Sequence, residues 1–284
     1  MKKLAAITSG LVLAVSVGLA GAHAPASSRT AASGTPTQGL ITATISERTV
    51  RFSPALHAGL VRLHIVSTGV SPHSLLLWQL NRGVSFKTFD TVDSSQTGNP
   101  FTLARAIGGN GQLSPGKTMD IWIRVAKGRI AIDDTPAGHG PGFHLDLAIQ
   151  TSAPDLPTPR SLGTLAAVAG NRYRVPPGFG KAGTWEFANN DGEAHDATIV
   201  RLAPAKTVAD LVRWAKGGRK GQPPIDGLRT ALEGGFGALQ GHSHAWFTIG
   251  HLPAGHYAIA CFIPGPNGMP HIAMGMAAPF TIQH

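Results

Sequence analysis

The sequence predicts an all-β protein of two tandem β-sandwich domains, the second with a short inserted helix. Three observations lead there. Glycine (36) and proline (21) are plentiful among 284 residues while charged residues make up only 14%, so many turns separate short apolar runs. Residues 151–161 hold three prolines and no hydrophobic period, the composition of a semi-rigid linker. The pattern before that break also recurs after it.

Residues 1–22 begin with Lys2 and Lys3, continue through an apolar stretch at 11–19 and end on Ala20, Gly21 and Ala22. These are the parts of a secretory signal peptide, too short to span a membrane. Cleavage after Ala22 would start the mature chain at His23, whose amine and ring are able to chelate copper. Residues 23–39 are dominated by Ser, Thr, Ala and Pro and read as a disordered segment. An exported, periplasmic or extracellular protein follows. Without the leader, 22 basic residues face 15 acidic ones, a net charge of +7, scattered except at 213–220. That balance suits solubility or attraction to an acidic partner. Nucleic-acid binding is not expected without a basic stripe or base-stacking aromatics, and association with a membrane surface is not indicated.

The first domain, 40–150, contains predicted strands at 41–45, 61–66, 74–80, 120–125 and 145–150. The second, 162–284, repeats the pattern at 184–188, 197–202, 245–250 and 256–262, with a closing strand that ends at Ile282. Between them Thr207 and Asp210 form a capping box, Val208, Leu211, Val212 and Ala215 follow a helical period, and Gly217 ends the run. Pro72-His73 matches Ala194-His195, and the glycine-rich segments at 108–113 and 234–239 match each other. Those glycines are expected in turns; no helix signal follows them, so they are not phosphate cradles. No P-loop, nucleophile elbow, dinucleotide fingerprint or zinc-protease motif is present.

Cys261 is the only cysteine, so it has no internal disulfide partner. In an exported chain an odd cysteine pairs between chains, reacts, or binds a metal. His271 follows ten residues later, Met276 five after that, and His195 lies upstream. One thiolate, two imidazoles and a thioether suit a trigonal copper site with a long axial methionine. The alternative reading of the same residues is a metal-free core, with Cys261 and Met276 as fillers and the histidines as satisfied polar groups.

The order His195, then Cys261-x9-His271-x4-Met276 directly before the closing strand, resembles the cupredoxins, the blue copper proteins. The resemblance covers the second half of the chain. It implies Greek-key sandwiches, a single type 1 copper held by His195, Cys261, His271 and Met276, and one-electron transfer outside the cytoplasm. His271 would be the electron port, with a redox partner protein docking on Pro264, Met269, Pro270, Ile272 and Met274. The Cys-to-His interval is nearer that of copper nitrite reductases than of the small carriers, and Met274 and Met269 are alternative thioethers. Copper scavenging or delivery, and a metal-free binding module, are the other readings. A nitrite-reductase-like enzyme or an oxidase would need histidines beside Cys261, where Ala260 and Phe262 stand, and His242-Ser-His244 is a solitary pair; the expectation is a carrier or binding protein rather than an enzyme.

At a constant offset of 127, His144 falls on His271, Asp134 on Cys261 and Ile149 on Met276. The first domain then reads as a degenerate, metal-free duplicate. Its His73, Asp134 and His144 would otherwise offer two imidazoles and a carboxylate to a harder ion, with His139 as a loose alternative.

Overall fold

The computed structural model describes residues 39–283 except 96–97, 135–142, 228–230 and 266–267. The predicted signal peptide, nearly all of the segment after it, and His139 lie outside the described residues. The first repeat comprises β1 (Leu40–Ser46), β2 (Thr49–Ser53), β3 (Gly59–Ser67), β4 (Leu75–Leu80), α1 (Phe86–Ser95), a 3-10 turn at Pro100–Thr102, β5 (Ala104–Gly109), β6 (Thr118–Val125), β7 (Gly128–Asp134) and β8 (Phe143–Ile149). The second comprises β9 (Thr164–Val168), β10 (Arg172–Arg174), β11 (Gly183–Asn189), β12 (His195–Arg201), α2 (Val208–Lys216), β13 (Leu232–Leu239), β14 (Ser243–Ile249), β15 (Gly255–Ala260), a 3-10 turn at His271–Met274 and β16 (Ala277–Ile282).

The all-β expectation holds, and the strands form two eight-stranded sheets that run through both repeats. One has the order β10-β9-β11-β14-β6-β3-β1-β2, the other β16-β15-β12-β13-β5-β4-β7-β8. Read outward from the middle, each half repeats the other. The repeats join edge to edge, where Trp246 pairs with Trp122 and Leu239 with Ile107, so strand edges at the junction are satisfied rather than exposed. The segment after β8 is tied to the first repeat: Ser152 bridges to Ala58, and Asp155 accepts from the Leu60 amide at 2.6 Å and from Arg124 at 2.9 Å.

Alternation explains most strands. In β1, Ile41, Ala43 and Ile45 are buried while their neighbours are half-exposed, and they join Leu63, Leu77, Phe187, Ile199 and Phe247 in the core between the sheets. β12 is buried on both faces. Ala197 and Ile199 face that core, whereas Val200 and Leu202 meet Leu211 and Ala215 of α2 on the other side.

The predicted helix is present, with Thr207 and Asp210 capping each other and Gly217 at its end. The first repeat contains a counterpart, α1, that the sequence pattern did not predict. Its apolar signal is only Phe86, Phe89 and Val92 in a Ser/Thr/Asp-rich run, and its cap is the Ser85 hydroxyl accepting from the Thr88 amide at 3.1 Å. Phe89, fully buried against Trp78 and Ala106, holds it to the sheet.

Most of the glycine-rich residues are strand rather than turn, which corrects the expectation: 234–239 lies in β13 and Gly108 and Gly109 end β5, while Gly111 is in a bend. Gly109 and Gly235 sit at matched places in β5 and β13 with φ of +155° and +92°. A Cβ there would lie 1.8 Å from the Leu75 carbonyl oxygen or 2.1 Å from that of Ala197. Only glycine lets the strands approach so closely, and the register shifts beside these contacts mark bulges.

Candidate metal centre

His195 is the first residue of β12, immediately before a bulge against β13 that shifts the register between His195 and Ala197. Cys261 directly follows β15, and its amide donates to the Met276 carbonyl at 3.1 Å. Its own carbonyl accepts from the Ile272 amide at 2.7 Å, and the Met276 amide donates to the His271 carbonyl at 2.9 Å. These bonds fold the chain between β15 and β16 back on itself. They bring His271 to the open end of β12. His195, Cys261, His271 and Met276 are all buried.

The Nδ1 atoms of His195 and His271 are 2.9 Å apart, and Cys261 Sγ lies 3.7 Å from the first and 3.4 Å from the second. A point equidistant from three atoms so placed is about 2 Å from each, the length of a metal–imidazole bond. The outer nitrogens are engaged elsewhere. His195 Nε2 is 3.2 Å from Asp191 Oδ2, and His271 Nε2 is 2.9 Å from Glu193 Oε2. Asp191 hydrogen-bonds His195 Nε2, and the Glu193 carboxylate lies close to His271 Nε2 without an aligned hydrogen bond; protons at both Nε2 atoms would leave the two Nδ1 lone pairs facing each other and the sulfur, an arrangement that a cation among them would stabilise. The donor set fits a soft-to-borderline metal.

Electrostatics agree with that assignment. Burial holds both imidazoles below the usual histidine range, so they are neutral ligands at neutral pH. Burial, with Asp196 beside it, pushes the Cys261 thiol up, so binding a metal there must displace a proton. Asp196 ties the site together. Its amide points to Cys261 Sγ at 3.5 Å, its carboxylate accepts from the Phe262 amide at 2.9 Å and from the Thr198 hydroxyl at 3.0 Å, and its carbonyl accepts from the Tyr173 hydroxyl. Burial raises its carboxyl to about 6.

Buried His195, Cys261, His271 and Met276 therefore form a site of the type 1 copper kind, as the sequence pattern implied. Asp191, Glu193 and Asp196 carried no role in the sequence pattern. Their signal was proximity: two carboxylates stand four and two residues before a ligand histidine, and a third directly follows it. The expected patch around His271 is only partly at the surface. Met269 and Pro264 are exposed, but Ile272 packs against α2. The outer edge of His271 lines a cavity of about 140 Å³ with Glu193, Gln240, Ile263, Pro264 and, from the first repeat, Asn99 and Phe101. Met274 is half-buried beside it and Asn171 approaches its sulfur at 4.0 Å. His244, at an exposed position of β14, pairs with Glu186 at 3.2 Å, and His242 occupies the preceding turn.

In the first repeat, His73 and Asp134 meet as the repeat predicts, Nδ1 to Oδ2 at 2.8 Å, both fully buried. His144 does not join them. It lies on β8 opposite Asp133, whose side chain faces away from Asp134, and it contacts Asp90, Asp93 and Asp133 instead. The constant offset fails for a physical reason. Ile132 pairs with Leu145 where Ile259 pairs with Ala278, so the offset is 127 before the connecting loop and 133 after it. His144 thus corresponds to Ala277, and Ile149 likewise falls beyond the position of Met276.

No protein-family model matches the chain, and no curated protein matches it. Among solved structures it is similar to dithionite-reduced auracyanin from the photosynthetic bacterium Roseiflexus castenholzii, at 21% identity over 43% of this chain and 96% of that one, with a TM-score of 0.30. It is also similar to auracyanin B, at 17% identity over 45% and 93%, TM-score 0.30, and to a copper-containing nitrite reductase from Thermus scotoductus SA-01, at 13% identity over 86% and 68%, TM-score 0.22. At TM-scores this low the assignment of the site stands on the side chains alone.

Proposed function

We propose that this is an exported copper protein that carries single electrons, with one type 1 copper in the second repeat (162–284) and a degenerate duplicate in the first (40–150). The observation that carries the reading is the convergence of two imidazole Nδ1 atoms on Cys261 Sγ while both Nε2 atoms rest on carboxylates. Copper bound by His195, Cys261 and His271, with Met276 as the weak fourth ligand, would supply a one-electron couple.

The chain's own residues do the rest. Asp191 and Glu193 hold the imidazole tautomers, and the Asp196 amide directs positive charge at the sulfur. The fully buried donors exclude water, and their attachment to β12, β15 and a hydrogen-bonded loop keeps them in one arrangement as charge changes. Electrons would enter or leave through His271, with a redox partner docking over its edge near Pro264 and Met269. Burial of all four donors favours a carrier over a delivery protein, which needs an exchangeable site.

The test is a visible spectrum of the mature protein with Cu(II), beside Cys261→Ser. An intense thiolate-to-copper band in the parent that vanishes in the variant is expected. A parent with no such band, and no Cu(I) binding either, would overturn the assignment; Cu(I) binding without colour would move it to copper handling.

A further inference from the structure

The cluster around His144 stands apart from the copper-type centre, and its geometry is that of a second, harder metal site. The imidazole is only 9% exposed. Its Nδ1 is 2.5 Å from Asp90 Oδ1, while Nε2 faces Asp93 Oδ2 at 3.0 Å and Asp133 Oδ1 at 3.5 Å. The same device seen at His195 recurs in reverse: a carboxylate keeps the proton on one ring nitrogen, so that the other, once its own proton is displaced, faces the remaining donors as a ligand. Two ligands bound at about 2.1 Å to one ion lie roughly 3.0–3.5 Å apart at angles of 90–110°, and the two Nε2–oxygen distances fall in that range.

These groups are also held in place before any ion arrives. Asp133 and His144 are cross-strand partners in β7 and β8. Asp90 and Asp93 stand one helical turn apart on α1, anchored by Phe89, which is fully buried in the core and whose ring centroid lies 6.4 Å from that of His144. Asp133, then Asp93 and Asp90, outweigh burial and raise the imidazole to about 11, a measure of how strongly the cluster attracts a cation.

We propose that His144, Asp93 and Asp133 bind a divalent ion of borderline hardness, of the Zn(II) class, with Asp90 orienting the imidazole, and that the ion pins α1 to β7 and β8. One imidazole and two carboxylates suit Zn(II) and disfavour Cu(I), so the two repeats would hold chemically different metals. Binding releases one proton, from His144.

The probe is Zn(II) alone, titrated calorimetrically into the full mature chain carrying Cys261→Ser, which removes the sulfur site. One equivalent bound at roughly micromolar free ion is expected, and a hundredfold excess over Kd should raise Tm by roughly 5–10 °C. Adding Asp93→Asn, at a partly exposed position, or His144→Gln should abolish both effects. Asp93→Asn in the otherwise unaltered protein should keep the copper band, showing that the fold is intact. Absence of stoichiometric binding, or binding that survives Asp93→Asn, would overturn the proposal and leave the cluster as an ion-pair network.

Discussion

His73 with Asp134 and His195 with Cys261 occupy matched positions in the two repeats, each histidine two residues before the carbonyl that a bulge glycine approaches. In the first repeat the pair is closed, with 2.8 Å between imidazole and carboxylate. Against the cost of burial, contact with Asp134 raises the His73 pKa, so a proton occupies the position where the second repeat has room for a metal. In the second repeat, nitrogen and sulfur stand 3.7 Å apart with another imidazole beside them. The strand frame is common to both. What differs is the connection between the last two strands, which in the second repeat is longer and delivers His271 and Met276. A sandwich supplies the rigid position of one or two donors, and the loop decides whether they become a metal centre.

The sharpest way to break this comparison is to move the sulfur. Asp134→Cys should create no intense visible band with Cu(II), because the first repeat brings only one imidazole to that position. A new band in a protein that also carries Cys261→Ser would show that the frame alone suffices.

The paired glycines test whether the frames are equivalent. Gly235→Ala and Gly109→Ala each place a Cβ against a carbonyl at positive φ and should each cost about 2–4 kcal/mol in denaturant unfolding. Only Gly235→Ala should also weaken the copper band, because its clash is with Ala197, two residues from His195. Equal spectra for the two variants would show that the bulge does not position that ligand.

Titration of the metal-free protein should set the repeats against each other. His144 rises from 6.5 to about 11 on folding, so its stabilisation is complete below pH 6.5 and is lost as pH rises toward 11. His195 and His271 are lowered by burial; stability from keeping them neutral is present above pH 6.5 and is lost as pH falls below it. Tm measured across this range should fall at both ends. His144→Asn should cost about 2–3 kcal/mol near pH 6 and flatten the alkaline limb while leaving the acid one.

The smallest effect concerns the helices. Thr207→Ala removes the reciprocal cap of α2 and should cost about 1 kcal/mol. Ser85→Ala at α1 should cost less, since Ser85 makes only half of such a cap. A larger loss at Ser85 would mean that α1 depends more on its cap than on Phe89.

Much of the copper-type centre was legible because soft ligands are rare: a single cysteine, followed at fixed intervals by a histidine and a methionine before a closing strand, is a pattern that core packing alone does not require. Short apolar runs gave ten of the sixteen described strands, and a reciprocal cap gave α2. The segments that escaped lacked such signals. β5 and β13 lose their alternation at paired glycines, β7 and β9 are buried on both faces and so do not alternate, β2 and β10 are only five and three residues long, and α1 shows only a narrow apolar stripe. Local pattern therefore determined the fold class, the repeat and the four donors, since each is written in residue type and spacing. Tertiary structure alone decided that the sheets run through both repeats, that Asp191 and Glu193 lie against the outer nitrogens of the imidazoles, and that His144 joins Asp90, Asp93 and Asp133 rather than His73. Those depend on strand register and loop length, and a six-residue change in one loop carries a side chain to another site without altering the pattern around it.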